Sequence, residues 1–212
     1  FFPAEKITLS GNPLRANLSS KLPSRSIALE KMGLDSQRKT LLILGGSLGA
    51  RRINELIADI IPALIDQNLN IIWQCGKLYY PSLSQKYNNL APEHQLHAFI
   101  NNMDEAFAAA DLVISRAGAN TLSELAALGK ASILIPSPNV AEDHQTKNAM
   151  ALVAKNAAIL VKDSDAKDNM VTTALAVLGD HAHQLQLSQN IKTLGRRNAA
   201  ERIAKEVLKL VK

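Results

Sequence analysis

The sequence is poor in cysteine, in aromatic residues and in long apolar runs, and each shortage excludes a class of protein. The single cysteine, Cys75, cannot form an internal disulfide, so a disulfide-stapled secreted scaffold is excluded and a reducing compartment is favoured. No segment has the ~18 consecutive apolar residues that a membrane-spanning helix needs. Aromatic residues are only 4% of the chain, which disfavours a base-stacking platform, and we expect no nucleic-acid partner.

Patterns for metal and dinucleotide binding are also missing. None of the five histidines belongs to an H-E-x-x-H pattern, and Cys75 has no second cysteine with which to hold zinc. The second predicted strand ends in Cys75-Gly76-Lys77, where an NAD site would have an acidic residue for the ribose. We therefore expect no metal and no cofactor.

The composition that remains is that of a folded, mildly basic protein. The chain has 212 residues, 47% of them hydrophobic and 20% charged, and a chain of this length can bury a core without disulfides. Lysine and arginine exceed aspartate and glutamate by 24 to 19, a net charge of +5. This small excess suits an anionic ligand or an anionic membrane surface.

Short apolar runs alternate with helical patterns from Thr40 onward. The predicted strands are residues 41–44, 71–75, 96–100, 112–115, 132–135 and 158–161, and the helices of the later part are 103–110, 121–128, 143–155, 171–178, 183–194 and 199–211. Strands that alternate with helices at this spacing form βαβ units. The sequence therefore predicts an α/β fold, a Rossmann-like parallel sheet with helices on both faces. The first forty residues differ, with a candidate strand at 7–9 and a polar linker at 17–25.

A glycine-rich segment, Gly-Gly-Ser-Leu-Gly-Ala at 45–50, follows the first regular strand. Such a loop lets the backbone approach a phosphate at the start of the next helix, although a tight turn without any ligand has the same composition. The segment does not fit the dinucleotide pattern G-x-G-x-x-G. It does fit the G-x-S-x-G elbow of α/β-hydrolases, with Ser47 as nucleophile, but that elbow normally follows several earlier strands. A hydrolase therefore stays as a third hypothesis.

Two further polar segments follow predicted strands, where ligands bind in open α/β sheets. In residues 115–124 a helix start could bind a diphosphate, and Glu124 could accept hydrogen bonds from both ribose hydroxyls. Thr121 and Glu124 also have the spacing of a helix-capping box, and local sequence leaves both roles open. Residues 136–145 could bind sugar hydroxyls; the alternative is a solvated loop with Asp143 as helix cap.

Four motifs in this order resemble the MurG family. They are Gly11-Asn12-Pro13-Leu14-Arg15, the segments 45–50 and 115–124 described above, and Asp143-His144-Gln145-x-x-Asn148-Ala149. The family transfers N-acetylglucosamine from UDP-N-acetylglucosamine to an undecaprenyl-linked muramyl-pentapeptide, converting lipid I to lipid II in bacterial cell-wall synthesis. The resemblance implies the donor-binding half of a GT-B glycosyltransferase, peripheral at the cytoplasmic face of the inner membrane.

The resemblance covers only the carboxy-terminal half of that family. It implies that the catalytic groups, the contacts to the lipid-linked acceptor and the membrane-facing patch belong to an amino-terminal half, and that this chain holds no catalytic residue. The implied division is a lead-in and linker at 1–39, a nucleotide-sugar-binding domain at 40–195, and a C-terminal helix at 196–212 that packs on the sheet or on the missing half. A stand-alone donor-binding subunit that needs a partner chain is the alternative.

The resemblance also implies roles for individual residues. The backbone of Ile100 would bind the uracil and Glu124 the ribose, while Arg15 and Ser47 would lie near the sugar-nucleotide. Gln145 would contact the N-acetylglucosamine. The residues implied at the diphosphate are Ala119, Asn120, Thr121, Leu122 and Ser123.

Overall fold

A six-stranded, fully parallel sheet forms the centre of the computed structural model, which describes residues 3–19, 21–46, 49–138 and 140–211. The strands are Lys39–Leu44 (β1), Leu69–Gln74 (β2), His94–His97 (β3), Leu112–Ser115 (β4), Ser132–Leu134 (β5) and Ile159–Leu160 (β6). Their order in the sheet is β3-β2-β1-β4-β5-β6. The predicted α/β class is therefore confirmed. In this order the chain changes direction between β1 and β4, and in such sheets a crevice opens beyond the carboxyl ends of these two strands.

Helices cover both faces of the sheet. They are Ala16–Ser19 (α1), Arg25–Met32 (α2), Arg51–Ile65 (α3), Tyr80–Lys86 (α4), Met103–Ala109 (α5), Ala119–Leu128 (α6), His144–Val153 (α7), Ala166–Gly179 (α8), His181–Lys192 (α9) and Ala199–Leu208 (α10). Within the described part of the chain, no helix has the length and apolar character to cross a bilayer.

The continuous apolar run of β1 explains why both faces are covered. Side chains alternate across a strand, so Leu42 packs with Phe107 of α5 in one core, and Leu41 packs with Ile57 of α3 in the other. All of these side chains are fully buried. The sheet thus lies between two apolar layers, and polar residues are left to the strand ends.

The structure corrects several predictions for the first hundred residues. The predicted linker at 17–25 is right only for residues 21–24, which have no regular structure, because α1 occupies Ala16–Ser19 and α2 begins at Arg25, with Ser24 Oγ accepting the Ile27 N–H at 3.4 Å. Residues 7–9 are not a strand. Strand β3 ends at His97 rather than at residue 100. The division into lead-in, central domain and C-terminal helix stays a prediction.

Candidate functional site

The loop after β1 approaches the end of β2 closely. A Cβ atom built on Gly45 would lie 2.9 Å from the carbonyl oxygen of Gln74, and Gly49 has a φ of +87° with the Cys75 carbonyl and the Tyr79 ring against it. Only glycine fits both positions, because any other side chain would overlap the end of β2 or the Tyr79 ring. The predicted approach of this loop to a phosphate stays a prediction. Ser47, predicted to lie near the sugar-nucleotide, is outside the described residues.

Glu124 is a buried carboxylate near the start of α6, with 5% of the residue exposed. Its Oε1 atom lies 2.9 Å from Nε of Arg15, so the lead-in segment reaches the helix after β4. Burial raises the pKa of Glu124, and the Arg15 guanidinium partly opposes that shift. The structure therefore brings together two residues that the resemblance assigned to one ligand.

The capping-box alternative for Glu124 is wrong. Helix α6 begins at Ala119, with Gly118 as the N-cap residue and no side-chain hydrogen bond at the cap. Thr121 and Glu124 thus lie inside the helix and cannot satisfy its first N–H groups. The first intrahelical bond runs from Leu122 N to Gly118 O, and Ala119 and Asn120 are exposed at the helix start. This start can receive an anion.

Asn12, from the Gly-Asn-Pro motif, ties the lead-in segment to the same helix. Its Nδ2 atom donates to Ser123 Oγ at 3.0 Å and to the carbonyl oxygen of Ala119 at 3.3 Å. Ser123 Oγ itself donates to Ala119 O at 2.9 Å. Sequence reasoning gave Asn12 no role, and its place in the motif was the only signal. Asn12 holds the segment in the position from which Arg15 reaches Glu124.

Ile100 follows β3 and is buried, with its N–H donated to Oε1 of Gln74 at 3.1 Å. Strand β3 has already ended at His97, and this hydrogen bond ties the backbone beyond the strand to a buried side chain of β2. Because the Ile100 N–H already has a partner, a ligand that binds this backbone would form its hydrogen bond with the carbonyl oxygen of Ile100.

Helix α7 touches the loops that follow β5 and β4. Oε1 of Gln145 accepts the N–H of Ser137 at 3.0 Å, and Nδ2 of Asn148 donates to the carbonyl oxygen of Ala117 at 3.2 Å. Asp143 precedes α7 as predicted, but it has a φ of +49° and its side chain makes no capping bond. Asp143 is therefore the N-cap residue of α7, as predicted, but the predicted side-chain hydrogen bond to the helix is not formed.

Arg116 is a polar residue of the site to which sequence reasoning gave no role. It follows β4 directly, and its Nη1 atom donates to the carbonyl oxygens of Ile135 and Pro136, both at 3.0 Å. The same atom lies 2.7 Å from Oδ1 of Asp163, which follows β6. A basic residue directly after a buried strand was the available signal. The assembled groups can bind hydroxyls and phosphates at one edge of the sheet.

The chain matches the family described as the glycosyltransferase family 28 C-terminal domain over residues 40–207. A UDP-N-acetylglucosamine--N-acetylmuramyl-(pentapeptide) pyrophosphoryl-undecaprenol N-acetylglucosamine transferase of Flavobacterium psychrophilum is 52% identical over 100% of this chain and 57% of its own length. A transferase of the same name from Parabacteroides distasonis is 47% identical over 100% of the chain and 58% of its own length. The chain thus spans a little over half the length of these relatives.

Solved structures agree with the fold. The crystal structure of Acinetobacter baumannii MurG is 29% identical, with a TM-score of 0.72 over 98% of this chain and 58% of the other. The glycosyltransferase WaaG shares the fold at 18% identity, with a TM-score of 0.66 over 95% of this chain and 56% of the other. The fold is that of one half of a GT-B glycosyltransferase. Because the family match covers most of the residues, this chain belongs to the glycosyltransferase family 28 C-terminal domain family.

Proposed function

We propose that this chain is the donor-binding domain of an N-acetylglucosaminyltransferase that converts lipid I to lipid II, and that it binds UDP-N-acetylglucosamine at the carboxyl edge of its sheet. The observation that carries the proposal is the buried carboxylate of Glu124 beside the uncapped start of α6, at the point where the strand order reverses. These two features suit a nucleotide, because a carboxylate can accept hydrogen bonds from the ribose hydroxyls and a helix start can bind the phosphates. Family membership and the names of the relatives support it.

The nucleotide part of the donor would lie along β3, β1 and α6. The carbonyl oxygen of Ile100 can accept a hydrogen bond from the uracil, since its N–H is held by Gln74. Glu124 would accept from the ribose, and Arg15 beside it would share that carboxylate. The diphosphate would bind at the loop holding Ser47 and at the α6 start, which comprises Ala119, Asn120, Thr121, Leu122 and Ser123.

The sugar would lie toward α7. Gln145 uses its carbonyl oxygen for Ser137, and its amide nitrogen is the group we assign to an N-acetylglucosamine hydroxyl. This side of the site is built from side chains and a loop, whereas the nucleotide side is built from backbone and one carboxylate. We expect no metal or other cofactor in this binding mode.

The acceptor and the catalytic groups would come from outside this chain. Glycosyl transfer needs the acceptor hydroxyl in line with the anomeric carbon and a base within reach of it. We assign the base, the lipid-linked muramyl-pentapeptide and the contact with the inner membrane surface to the remaining length that the relatives have. This chain would hold the donor and stabilise the departing UDP at the α6 start. Residues 40–195 would form the donor domain, with 1–39 as a lead-in and linker and 196–212 as a C-terminal helix that packs on the sheet or on that other part.

Calorimetric titration of the chain with UDP, UDP-N-acetylglucosamine and NAD tests the binding proposal. We expect both uridine nucleotides to bind and NAD to give no heat of binding. Glu124→Ala should weaken UDP binding by about tenfold to a hundredfold, because a hydrogen bond to a charged group contributes ~1.5–3 kcal/mol. Tight NAD binding, or UDP binding that Glu124→Ala leaves unchanged, would contradict the proposed site.

Glu93→Ala is the matched control for Glu124→Ala. Glu93 also forms a partly buried ion pair, with Oε1 2.7 Å from Nη1 of Arg38, but it lies at the amino-terminal end of β3, away from the crevice. We expect Glu93→Ala to leave the affinity for UDP unchanged. A turnover assay completes the test: the chain alone, given the lipid-linked acceptor, should release no UDP. Release at the rate of a full-length relative would place the catalytic base within this chain.

Membership of a glycosyltransferase family argues against the hydrolase hypothesis, because a donor-binding loop accounts for the glycine-rich segment without a nucleophile. A fluorophosphonate probe separates the two hypotheses, and we expect no covalent label on Ser47.

A further inference from the structure

One guanidinium group joins the carboxyl ends of three neighbouring strands. Arg116 directly follows β4, and its Nη1 atom bonds to the carbonyl oxygens of Ile135 and Pro136 after β5. The same atom reaches Oδ1 of Asp163, beyond β6, at 2.7 Å. A planar, permanently charged donor that serves several acceptors fixes the geometry of the groups around it.

The ion pair that holds this guanidinium is itself supported. The side chains of Arg116 and Asp163 are only 16% and 15% exposed, and Oδ2 of Asp163 accepts a bond from Nε of Arg52 at 3.2 Å. Each carboxylate oxygen of Asp163 is thus paired with a different arginine. The arrangement is more rigid than a surface ion pair, in which both side chains stay mobile.

The segment that Arg116 holds, residues 136–138, runs from the buried Pro136 to the exposed Pro138. A cavity of about 700 Å³ adjoins it, with Pro136, Pro138 and Met150 in its wall. Among the described residues, two side chains form hydrogen bonds with this segment: Arg116 donates to the carbonyl oxygen of Pro136, and Oε1 of Gln145 accepts the N–H of Ser137. A shift of the segment therefore moves the Gln145 amide.

The geometry points to Arg116 as a positioning residue for the sugar part of the donor, an inference that rests on the proposed function. Arg116 sets the position of residues 136–138, and these set the Gln145 amide that we assign to the N-acetylglucosamine. The bonds found for Ile100, Glu124 and the α6 start within the described residues do not go to residues 136–138. Arg116 therefore raises the affinity for UDP-N-acetylglucosamine and leaves the affinity for UDP alone unchanged.

The test compares UDP with UDP-N-acetylglucosamine in Arg116→Met. Methionine keeps the length of the side chain and removes its donors. We expect the dissociation constant of UDP to change less than about twofold, while binding of UDP-N-acetylglucosamine weakens by about tenfold, the equivalent of one or two neutral hydrogen bonds. Hydrogen exchange at the Ser137 amide should accelerate in the same variant, because that N–H loses its fixed partner.

Arg25→Met is the matched control. Arg25 is also partly buried, and its Nη2 atom binds a carboxylate, Asp111 at 2.9 Å, and a carbonyl oxygen, Arg38 at 2.8 Å, at the opposite end of the sheet. Arg25→Met should lower the melting temperature, but it should not change the affinity for UDP-N-acetylglucosamine relative to the affinity for UDP.

Asp163→Asn tests the other member of the ion pair, because it keeps an oxygen and removes the charge. It should weaken binding of UDP-N-acetylglucosamine, as Arg116→Met does, but by a smaller factor.

Each result decides between the alternatives. Selective loss of UDP-N-acetylglucosamine binding with faster Ser137 exchange supports the positioning role. An equal loss of affinity for both ligands means that Arg116 contacts the diphosphate. Unchanged affinities mean that residues 136–138 keep their position without Arg116. Either result overturns the inference. If the unsubstituted chain binds neither nucleotide, the proposed function itself fails, and the inference fails with it.

Discussion

Nε of Arg15 lies 2.9 Å from Oε1 of Glu124, and the two side chains differ greatly in exposure, 47% for the arginine and 7% for the glutamate. The pair joins the lead-in segment to α6 at the edge of the crevice. Burial makes ionisation of Glu124 unfavourable, and the partly solvated arginine compensates only in part. The ionised form of Glu124 is thus disfavoured by burial, at a position where a ligand could form hydrogen bonds with it.

The raised pKa of Glu124 makes stability depend on pH in a defined direction. Between the ordinary carboxyl pKa and the raised native one, the folded chain binds more protons than the unfolded chain, so this group's contribution to stability falls as pH rises through that window. Thermal unfolding at a series of pH values from about 4 to 7 should show this slope in the native chain and a smaller one in Glu124→Gln. An identical slope in both would contradict the assignment. UDP affinity should change in the opposite sense, rising with pH as the carboxylate forms.

Gly49→Ala should disrupt the loop after β1. The residue has a φ of +87°, and a methyl group there would overlap the Cys75 carbonyl and the Tyr79 ring. We expect a lower melting temperature and loss of UDP binding, because the loop can no longer lie against the end of β2. Gly179→Ala is the control: nothing lies within 4 Å of its added Cβ, and alanine favours the helix, so stability should stay equal or rise. Equal behaviour of the two variants would count against the close approach.

Asn54→Ala should be among the most destabilising polar substitutions in the chain. The buried Asn54 side chain donates to the carbonyl oxygen of Cys75 at 2.7 Å and accepts from Nε1 of Trp73 at 3.2 Å. Alanine would leave both partners buried and unpaired, which costs roughly 3 kcal/mol in the free energy of unfolding. Denaturant titration measures this loss. Asn190→Ala, which removes a solvent-exposed bond to Asn156, should cost well under half as much.

Helix α10 should exchange its amide hydrogens faster than the sheet. Among the described side chains of this helix only Ala199 is buried, whereas Val207 and Leu208 are 54% and 67% exposed. Few buried contacts mean a low free energy of local opening. Hydrogen exchange followed by mass spectrometry should show α10 as the less protected element when it is compared with β1. Equal protection would show that other contacts hold this helix on the domain.

Elements with a strong local signal were predictable from the sequence. Strand β1 is a run of apolar residues ended by Gly45, a pattern typical of a strand buried on both faces, and its core was found to within two residues. Helix α2 was missed because its sequence is polar and serine-flanked. It is held by contacts that are distant in sequence, such as Arg25 with Asp111. Local patterns carry no information on such partners.

The candidate site divides in the same way. The glycine-rich loop directly follows β1, and Glu124 and Gln145 lie in the helices that come after β4 and β5, so the order of elements predicts their place near one edge of the sheet. It does not predict the bonds of Asn12 to α6 and of Arg116 to residues 135–136, since each joins segments from different βα units.

By itself, the sequence determined the α/β alternation, the parallel sheet and the segments that carry polar groups to its carboxyl edge, because periodicity and glycine positions are local properties of the chain. The tertiary structure alone decided the strand order, the burial of Glu124 under Arg15 and the clamp made by Arg116. These depend on which distant segments pack together. Which segments pack together depends on the apolar area buried in both layers of the core, and the residues of both layers come from many segments of the chain.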